Sequence, residues 1–278
     1  MSLLEVNNLR VSFPSEQGPI EVVKGISFEL GRERLGIVGE SGSGKSMTGR
    51  ALLRLIRAPG KVSADALRFN GEELTTLSDR AMRKLRGARL SMVMQDPKYS
   101  LNPVMRIGEQ MAEVMAVHSK VSRRERKQKV LQALESVRIH DPERVYRLYP
   151  HEISGGMGQR VMIAMMVILE PDLIIADEPT SALDVSVQAQ VLDIMDDLVS
   201  RNGMGLIFIS HDLNLVARYC DRILVMFNGR IVETCAANEL HLAQHPYTQG
   251  LLASMPTLDE ARERLPVLDR AGLEAYDQ

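Results

Sequence analysis

The stretch GESGSGKS, residues 39–46, restricts what this chain can fold into more than any other part of the sequence. It fits the pattern G-x-x-x-x-G-K-[ST], follows the apolar run RLGIV and leads into the apolar-faced stretch SMTGRALLRLI. These neighbours predict a buried strand, a glycine-rich loop and a helix in direct succession. Glycines let backbone N–H groups approach an anion closely, because they have no Cβ. The arrangement favours a phosphate-binding loop over the alternative, a flexible glycine–serine turn.

Two side chains at the end of this loop have the chemistry that a nucleotide needs. Lys45 brings a positive charge to the β- and γ-phosphates, and the Ser46 hydroxyl can be a ligand of Mg²⁺. A helix that begins here points the positive end of its dipole at the same phosphates. The sequence therefore predicts a nucleotide site at residues 39–46.

A second signal is the stretch DLIIADEP, in which an apolar run ends in two acids, Asp177 and Glu178. A buried strand would deliver both to its carboxyl end, the usual ligand edge of an open α/β sheet. Asp177 can then hold Mg²⁺ through the coordination shell of the ion, and Glu178 can polarise an attacking water. Taken alone, the stretch is more typical of a strand that ends in a solvated acidic turn. The phosphate-type loop upstream favours the catalytic interpretation.

A third signal is a further glycine-rich turn, ISGGMGQR, at residues 153–160. Its Ser154, Gly155 and Gly156 could present a hydroxyl and N–H groups to an anion at the start of a helix. Two phosphate-type loops would be redundant if both served one nucleotide within one chain. As a lone turn, the motif is only a weak indication of an anion site. Its place between a helical stretch and the Asp177 strand makes that indication stronger.

Composition excludes several classes of function. The 278 residues carry a net charge of −2, so we expect no nucleic-acid partner, and with 4% aromatics and no Trp the chain has few residues for stacking on bases. The longest apolar run, VMIAMMVIL, is too short to span a bilayer, and the N-terminus MSLLEVNNLR has no apolar core of a signal peptide. We therefore expect a cytosolic chain with reduced thiols.

The pattern of predicted elements changes twice along the chain. Strand and helix patterns alternate up to Gln95, helical periodicity dominates from about residue 102 to residue 170, and alternation then returns. We predict a discontinuous nucleotide-binding core at residues 1–95 and 171–240, a helical subdomain at 96–170 that carries the 153–160 turn, and a short C-terminal tail at 241–278.

Residues 3–234 resemble the ATP-binding cassette (ABC) ATPases. Residues 39–46 resemble the Walker A motif of that family, ISGGM its signature motif, and DLIIADEP its Walker B motif with Glu178 as the catalytic glutamate. Gln95 resembles the glutamine of the Q-loop, SALD at 181–184 the D-loop, and His211 the switch histidine. Six motifs in this order are highly specific.

The resemblance implies a fold class and a set of roles. The expected fold is α/β, a P-loop NTPase (RecA-like) core with an antiparallel β subdomain and an inserted α-helical subdomain. The expected catalytic residues are Glu178, His211 and Gln95, and the expected Mg²⁺ ligands are Ser46, Gln95 and Asp177. The expected ATP contacts are Phe13, Gly39, Glu40, Ser41, Gly42, Ser43, Gly44, Lys45, Ser46, Met47, Gln95 and Asp177, with Ser154, Gly155, Gly156 and Asp184 acting in trans from a second chain. Phe13 would stack on adenine; a core phenylalanine on a strand remains its alternative.

Three features resemble one branch of the family, the importers of peptides, nickel and opines. They are Met157 where the signature usually ends in Gln, QDPKYSLNP after Gln95, and HPYTQGLLASMP near the end. The branch implies two membrane-spanning permease subunits, a second ATPase subunit of the same or another chain, and an external solute-binding protein. It also implies a peripheral place on the cytoplasmic face of the inner membrane, with di- or oligopeptide the first expectation and nickel or opines the alternatives. With only Cys220 and Cys235, we expect no Fe–S cluster.

Two other classes remain open at this point. A soluble ABC protein acting on DNA would need a long coiled coil, and one acting on ribosomes would carry two cassettes; the sequence has neither. A P-loop kinase for a small metabolite would need neither ISGGM nor a switch histidine. Co-purification with membrane subunits would separate these classes from a transporter.

Overall fold

The computed structural model describes residues 2–95, 100–181 and 183–254. The strands are β1 (Leu4–Phe13), β2 (Ile20–Leu30), β3 (Arg34–Val38), β4 (Lys61–Ser63), β5 (Ala66–Phe69), β6 (Glu72–Glu73), β7 (Leu90–Val93), β8 (Leu173–Asp177), β9 (Gly205–Ser210), β10 (Arg222–Phe227) and β11 (Arg230–Ala236). The helices are α1 (Lys45–Leu52), α2 (Asp79–Leu85), α3 (Ile107–His118), α4 (Arg123–Ser136), α5 (Pro142–Arg147), α6 (Gly155–Val167), α7 (Val185–Asn202), α8 (Leu213–Tyr219) and α9 (Pro246–Ala253). Short 3₁₀ turns cover Pro150–Glu152 and Ala237–Leu242.

The central sheet has the strand order β11-β10-β3-β9-β8-β7, and all neighbours are parallel except the β10–β11 hairpin. Every residue of β8 and β9 is buried, as expected for parallel strands covered on both faces. The register pairs Val38 with Ser210 and Asp177 with Ile209, so the carboxyl ends of β3, β9 and β8 lie level. The residues that follow these strands therefore meet at one edge.

A second sheet is antiparallel, in the order β2-β1-β5-β6 with β4 paired to β1. Its apolar face shares one core with β3, β8 and α1, in which Leu9, Leu35 and Leu52 are buried. The Asn70-Gly71 turn joins β5 to β6, and both residues have positive φ. Burial of each such leucine contributes about 1.5–3 kcal/mol, so the sheet holds the β3 and α1 elements firmly.

The helices α3 to α6 pack on each other and, with α7, form a second core. Ser122 caps α4 by accepting the Glu125 N–H at 3.2 Å, and Asp141 caps α5 by accepting the Arg144 N–H. Most of the run VMIAMMVIL lies in the second half of α6, where it is largely buried in this core. Among the described residues, no helix is both long and apolar enough to cross a bilayer.

The predicted fold class is confirmed: the fold combines a mixed α/β core, an antiparallel sheet and a helical region. The domain boundaries stay a prediction. No sequence pattern indicated β4 or α2, and α1 ends at Leu52, before the end of the predicted helical stretch SMTGRALLRLI. Arg54 takes a left-handed conformation instead and donates hydrogen bonds to the carbonyls of Leu74 and Leu77. The strand before Gln95 ends at Val93, and the rest of the tail, residues 255–278, lies outside the described residues.

Candidate nucleotide-binding site

The glycine-rich loop follows β3 directly and ends where α1 begins. Gly39 has φ 152° and Gly44 φ 99°, a region that side chains with a Cβ rarely adopt. A Cβ on Gly39 would lie 2.1 Å from the Met226 carbonyl oxygen, and one on Gly44 would lie 2.5 Å from the Val22 carbonyl oxygen. Gly44 is also the N-cap of α1, so the first-turn amides of that helix have no intrahelical acceptor. The loop therefore offers backbone donors to an anion and excludes larger residues.

Lys45 is turned into this loop. Its Nζ donates to the carbonyl oxygens of Gly39 and Glu40, both at 2.7 Å, and its side chain is buried. Burial lowers the pKa of Lys45, and the nearby carboxylates of Glu178 and Asp177 oppose that shift. The ammonium group is thus held at the mouth of the loop with carbonyl partners that a phosphate could replace.

Ser46 and Asp177 join the loop to the neighbouring part of the sheet. The Ser46 hydroxyl donates to Asp177 Oδ1 at 2.7 Å, and Asp177 is the last residue of β8 and only 4% exposed. Burial raises the pKa of Asp177, while the Ser46 hydrogen bond and the Arg50 charge act against this. A hydroxyl and a carboxylate oxygen beside a phosphate loop are ligands that suit Mg²⁺. The two residues therefore fit a magnesium site.

Glu178 lies between two other polar side chains. Its Oε2 accepts a hydrogen bond from Gln95 Nε2 at 3.2 Å, and its Oε1 lies 3.2 Å from His211 Nδ1. Glu178 has φ 47°, and its N–H donates to the Ile209 carbonyl oxygen on β9 at 2.9 Å. A non-glycine residue in this left-handed region is strained, and such strain often occurs at functional sites. A small cavity of about 160 Å³ opens beside Glu178 and His211.

The residues expected to act in trans lie at two helix starts. Ser154 caps α6 by accepting the Met157 N–H at 3.3 Å, and Asp184 caps α7 by accepting the Val187 N–H at 3.0 Å. The two starts are close together, since a Cβ on Gly156 would lie 2.6 Å from Val187 Cγ1.

The Ser186 hydroxyl also donates to Asp184 and lowers the pKa of that carboxyl. Ser154, Gly155 and Asp184 are exposed, so this surface can receive a ligand or another chain.

The remaining expected contacts are less distinctive. Phe13 ends β1 and Met47 lies in the first turn of α1; both are half-buried and pack against the core beneath the antiparallel sheet. The structure thus leaves both interpretations of Phe13 standing. Met157 is half-buried against the helical core, where an apolar side chain is well placed. Ser41, Gly42 and Ser43 lie in the loop between Glu40 and Gly44, with φ 86° at Gly42.

One contact of the loop was not predicted from the sequence. Tyr247 of α9 is fully buried, and its Oη accepts the Glu40 N–H at 2.9 Å. The stretch HPYTQ contributed to the sequence analysis only through its resemblance to a branch of importers. No local pattern indicated that it would touch the phosphate loop.

The site combines a strand followed by a glycine-rich loop with an inward lysine, and a serine just after that loop that bonds to an aspartate at the end of another parallel strand. These features define a P-loop nucleotide-binding protein. Comparison with known proteins narrows the class. The family model described as ABC transporter matches residues 23–181. The chain therefore belongs to the ABC transporter family, whose cassettes bind and hydrolyse ATP. The family, fold and ATPase predictions made from the motifs are confirmed.

Curated relatives agree over nearly the whole chain. The oligopeptide transport ATP-binding protein OppD of Bacillus subtilis is 47% identical over 264 residues, which are 94% of this chain and 74% of the relative. The dipeptide transport ATP-binding protein DppD of Escherichia coli is 44% identical over 280 residues, 100% of this chain and 86% of the relative.

Solved structures show the same fold. The dimeric structure of a bacterial ABC transporter cassette superposes with a TM-score of 0.74 at 25% identity, covering 84% of this chain and 99% of the other. The structure of cbiO1 from Clostridium perfringens, described as part of an ABC transporter complex, gives a TM-score of 0.73 at 26% identity over 87% and 91% of the two chains.

Proposed function

We propose that this chain is the ATP-hydrolysing subunit of an importer for dipeptides or oligopeptides. The observation that carries the ATPase part is the meeting of Lys45, the Ser46–Asp177 pair and the Glu178–His211 pair at one edge of the central sheet. The relatives named for dipeptide and oligopeptide transport support the peptide part. Nickel and opines remain the alternative cargoes.

Each side chain has a distinct task in this proposal. The loop amides and Lys45 bind the β- and γ-phosphates, and Lys45 exchanges its carbonyl partners for phosphate oxygens. Ser46 and Asp177, with Gln95, hold Mg²⁺, which neutralises charge on the phosphates when bound. Glu178 accepts a proton from the attacking water, and His211 holds Glu178 in the resting site and senses the γ-phosphate.

The signature residues complete the site from a second ATPase subunit. Ser154, Gly155 and Asp184 stand exposed at adjacent helix starts, with Gly156 half-buried beside them, which suits contact with the nucleotide of another chain. The solved dimeric structure of a bacterial ABC transporter cassette, which has the same fold, supports this pairing. We propose two such ATPases, alike or different, with two membrane-spanning permease subunits and, indirectly, an external solute-binding protein. The chain then lies peripherally on the cytoplasmic face of the inner membrane.

The ATPase part is tested with Lys45→Ala. We expect ATP affinity to fall at least about 100-fold, because the main cationic contact to the phosphates is lost. Lys61→Ala, at an exposed residue of β4, is the matched control and should bind ATP as the wild type does. Calorimetric titration of the purified chains decides it, and near-normal affinity in Lys45→Ala would exclude the proposed phosphate role.

The transport part is tested in cells that lack the gene for this chain. Uptake of a labelled dipeptide, of nickel and of a labelled opine is compared with and without a plasmid copy of the wild type or of Lys45→Ala. Only the wild-type copy should restore dipeptide uptake. If only nickel uptake or only opine uptake is restored, that solute replaces peptide as the proposed cargo. Co-purification of membrane subunits with a tagged chain would support the partner assignment.

A further inference from the structure

The last described helix, α9, brings the chain back to the phosphate loop. Tyr247 in its first turn is 0% exposed, and its ring centroid lies 4.4 Å from that of Phe227 at the end of β10. Its own N–H donates to His245 Nδ1 at 3.2 Å. The preceding N–H of Gln244 donates to Glu233 of β11 at 2.6 Å. Tyr247 is therefore fixed by packing on one side and by backbone hydrogen bonds on the other.

Tyr247 and Lys45 hold opposite ends of one peptide group. The peptide between Gly39 and Glu40 donates its N–H to Tyr247 Oη at 2.9 Å, and its carbonyl oxygen accepts from Lys45 Nζ at 2.7 Å. This group is the first of the loop, directly after β3, and Gly39 has positive φ. Its orientation sets the direction in which the following loop residues leave the sheet.

The two contacts differ in what happens to them when ATP binds. Lys45 is the cation that the proposed function assigns to the phosphates, so its bond to Gly39 is lost or weakened in the bound state. The hydrogen bond to Tyr247 is made by the N–H of the peptide and does not involve Lys45. It can therefore persist in both states and keep the loop in shape.

We propose that Tyr247 is a positioning residue for the phosphate loop: its hydroxyl fixes the Gly39–Glu40 peptide so that Lys45 can turn to the nucleotide without collapse of the loop. The inference rests on the proposed ATP site. It assigns the HPYTQ stretch a task in nucleotide binding, in addition to its task in packing.

The test is Tyr247→Phe, which keeps the buried ring and removes only the acceptor. The Glu40 N–H then loses its bond to Tyr247 Oη. The loop conformation that binds ATP is therefore less populated than in the wild type. If that population falls to about a tenth, the apparent affinity for ATP falls about tenfold, because affinity scales with the competent fraction. At saturating ATP the turnover number should stay within about twofold of wild type, since no catalytic group is changed.

Tyr219→Phe is the matched control. It also removes one tyrosine hydroxyl, which donates to Asp193 at 3.0 Å between α8 and α7, and it should leave ATP affinity unchanged. Calorimetry with a non-hydrolysable ATP analogue gives affinity, steady-state kinetics separates KM from kcat, and amide hydrogen exchange reports on residues 39–46. Exchange at the Glu40 amide should accelerate about tenfold or more in Tyr247→Phe and not in Tyr219→Phe.

The outcomes are distinguishable. If wild type fails to bind ATP, the proposed function is wrong. If wild type binds and Tyr247→Phe binds equally well with an unchanged Glu40 amide, the positioning role is wrong, even where the melting temperature falls. A raised KM with retained kcat and faster exchange confined to the loop would support it.

Discussion

The Ser46 hydroxyl, in the first turn of α1, donates a 2.7 Å hydrogen bond to the buried carboxylate of Asp177 at the end of β8. The bond joins the phosphate loop to a strand more than a hundred residues further along the chain. It also places together two oxygen atoms of the proposed magnesium site. Burial of the carboxylate disfavours its charged form, and it raises the pKa of Asp177.

This effect of burial gives a prediction about stability. Because the folded-state pKa of Asp177 is raised, its contribution to stability is full below the unfolded pKa and is lost as pH rises through the folded value. Asp177→Asn removes the charge and keeps an oxygen for Ser46. Without nucleotide near pH 7, we expect the variant to melt about 2–5 °C higher than wild type. The difference should shrink as pH falls through the raised folded-state pKa of Asp177 toward the unfolded value of about 3.9, below which the carboxyl is protonated in both states.

The same variant should lose the effect of magnesium. Mg²⁺ with ATP should stabilise wild type more than ATP with a chelator does, and Asp177→Asn should show no such difference. Asp65→Asn, at an exposed residue that accepts a hydrogen bond from Asn8, is the control and should behave as wild type. Scanning calorimetry at several pH values measures both effects. A lower melting temperature for Asp177→Asn near neutral pH would contradict the argument from burial.

A second prediction concerns Glu178. Glu178→Gln keeps the shape of the side chain and can still bond to Gln95, but it cannot accept the proton of the attacking water. We expect ATP affinity within about threefold of wild type and a turnover number lower by about 10²–10⁴. Glu170→Gln, at an exposed glutamate before β8, is the control. Normal turnover in Glu178→Gln, measured by phosphate release, would show that another group is the base.

A third prediction concerns His211, whose Nδ1 lies 3.2 Å from Glu178. We expect His211→Ala to bind ATP normally and to hydrolyse it at least about tenfold more slowly, because Glu178 and the γ-phosphate lose a positioned partner. His241→Ala, at an exposed histidine of the 3₁₀ turn 237–242, should leave both quantities unchanged. Equal loss in both variants would mean that the effect is not specific to the site.

The phosphate loop could be predicted from sequence because its requirements are local. Gly39 and Gly44 have positive φ, Lys45 and Ser46 follow at fixed spacing, and strand and helix flank them. The meeting of Glu178 with His211 could not be derived in this way. It depends on β8 and β9 being neighbours in the sheet, and the sequence connected the two residues only through their resemblance to motifs of a known family.

Contacts between distant parts of the chain were the hardest to predict. Tyr247 and Glu40 are 207 residues apart, and a tyrosine in the first turn of a helix is equally typical of ordinary core packing. The early end of α1 has a similar cause, since Arg54 leaves the helix to donate to the carbonyls of Leu74 and Leu77. In each case a tertiary hydrogen bond overrides the local pattern.

The last prediction tests whether the site is shared between two chains. In the Glu178→Gln background, ATP should drive the chain into a stable dimer, or into a heterodimer if its partner is a different ATPase. Adding Ser154→Arg places bulk and positive charge at the exposed start of α6, so association should be lost while each chain still binds ATP. Ser136→Arg, at an exposed serine that ends α4, should associate normally. Analytical ultracentrifugation with and without ATP measures this.

Mixing two inactive chains then identifies the partner. In a homodimer, Lys45→Ala mixed equally with Ser154→Arg gives half mixed pairs, each with one intact site, so about a quarter of the wild-type rate should return if the sites act independently. If the native partner is another ATPase, mixing restores nothing, and adding that partner to wild type raises turnover instead. The proposal of a shared site is wrong if the Ser154→Arg chain, with no partner present, hydrolyses ATP at the wild-type rate. Ser154 of a second chain would then not be needed for hydrolysis.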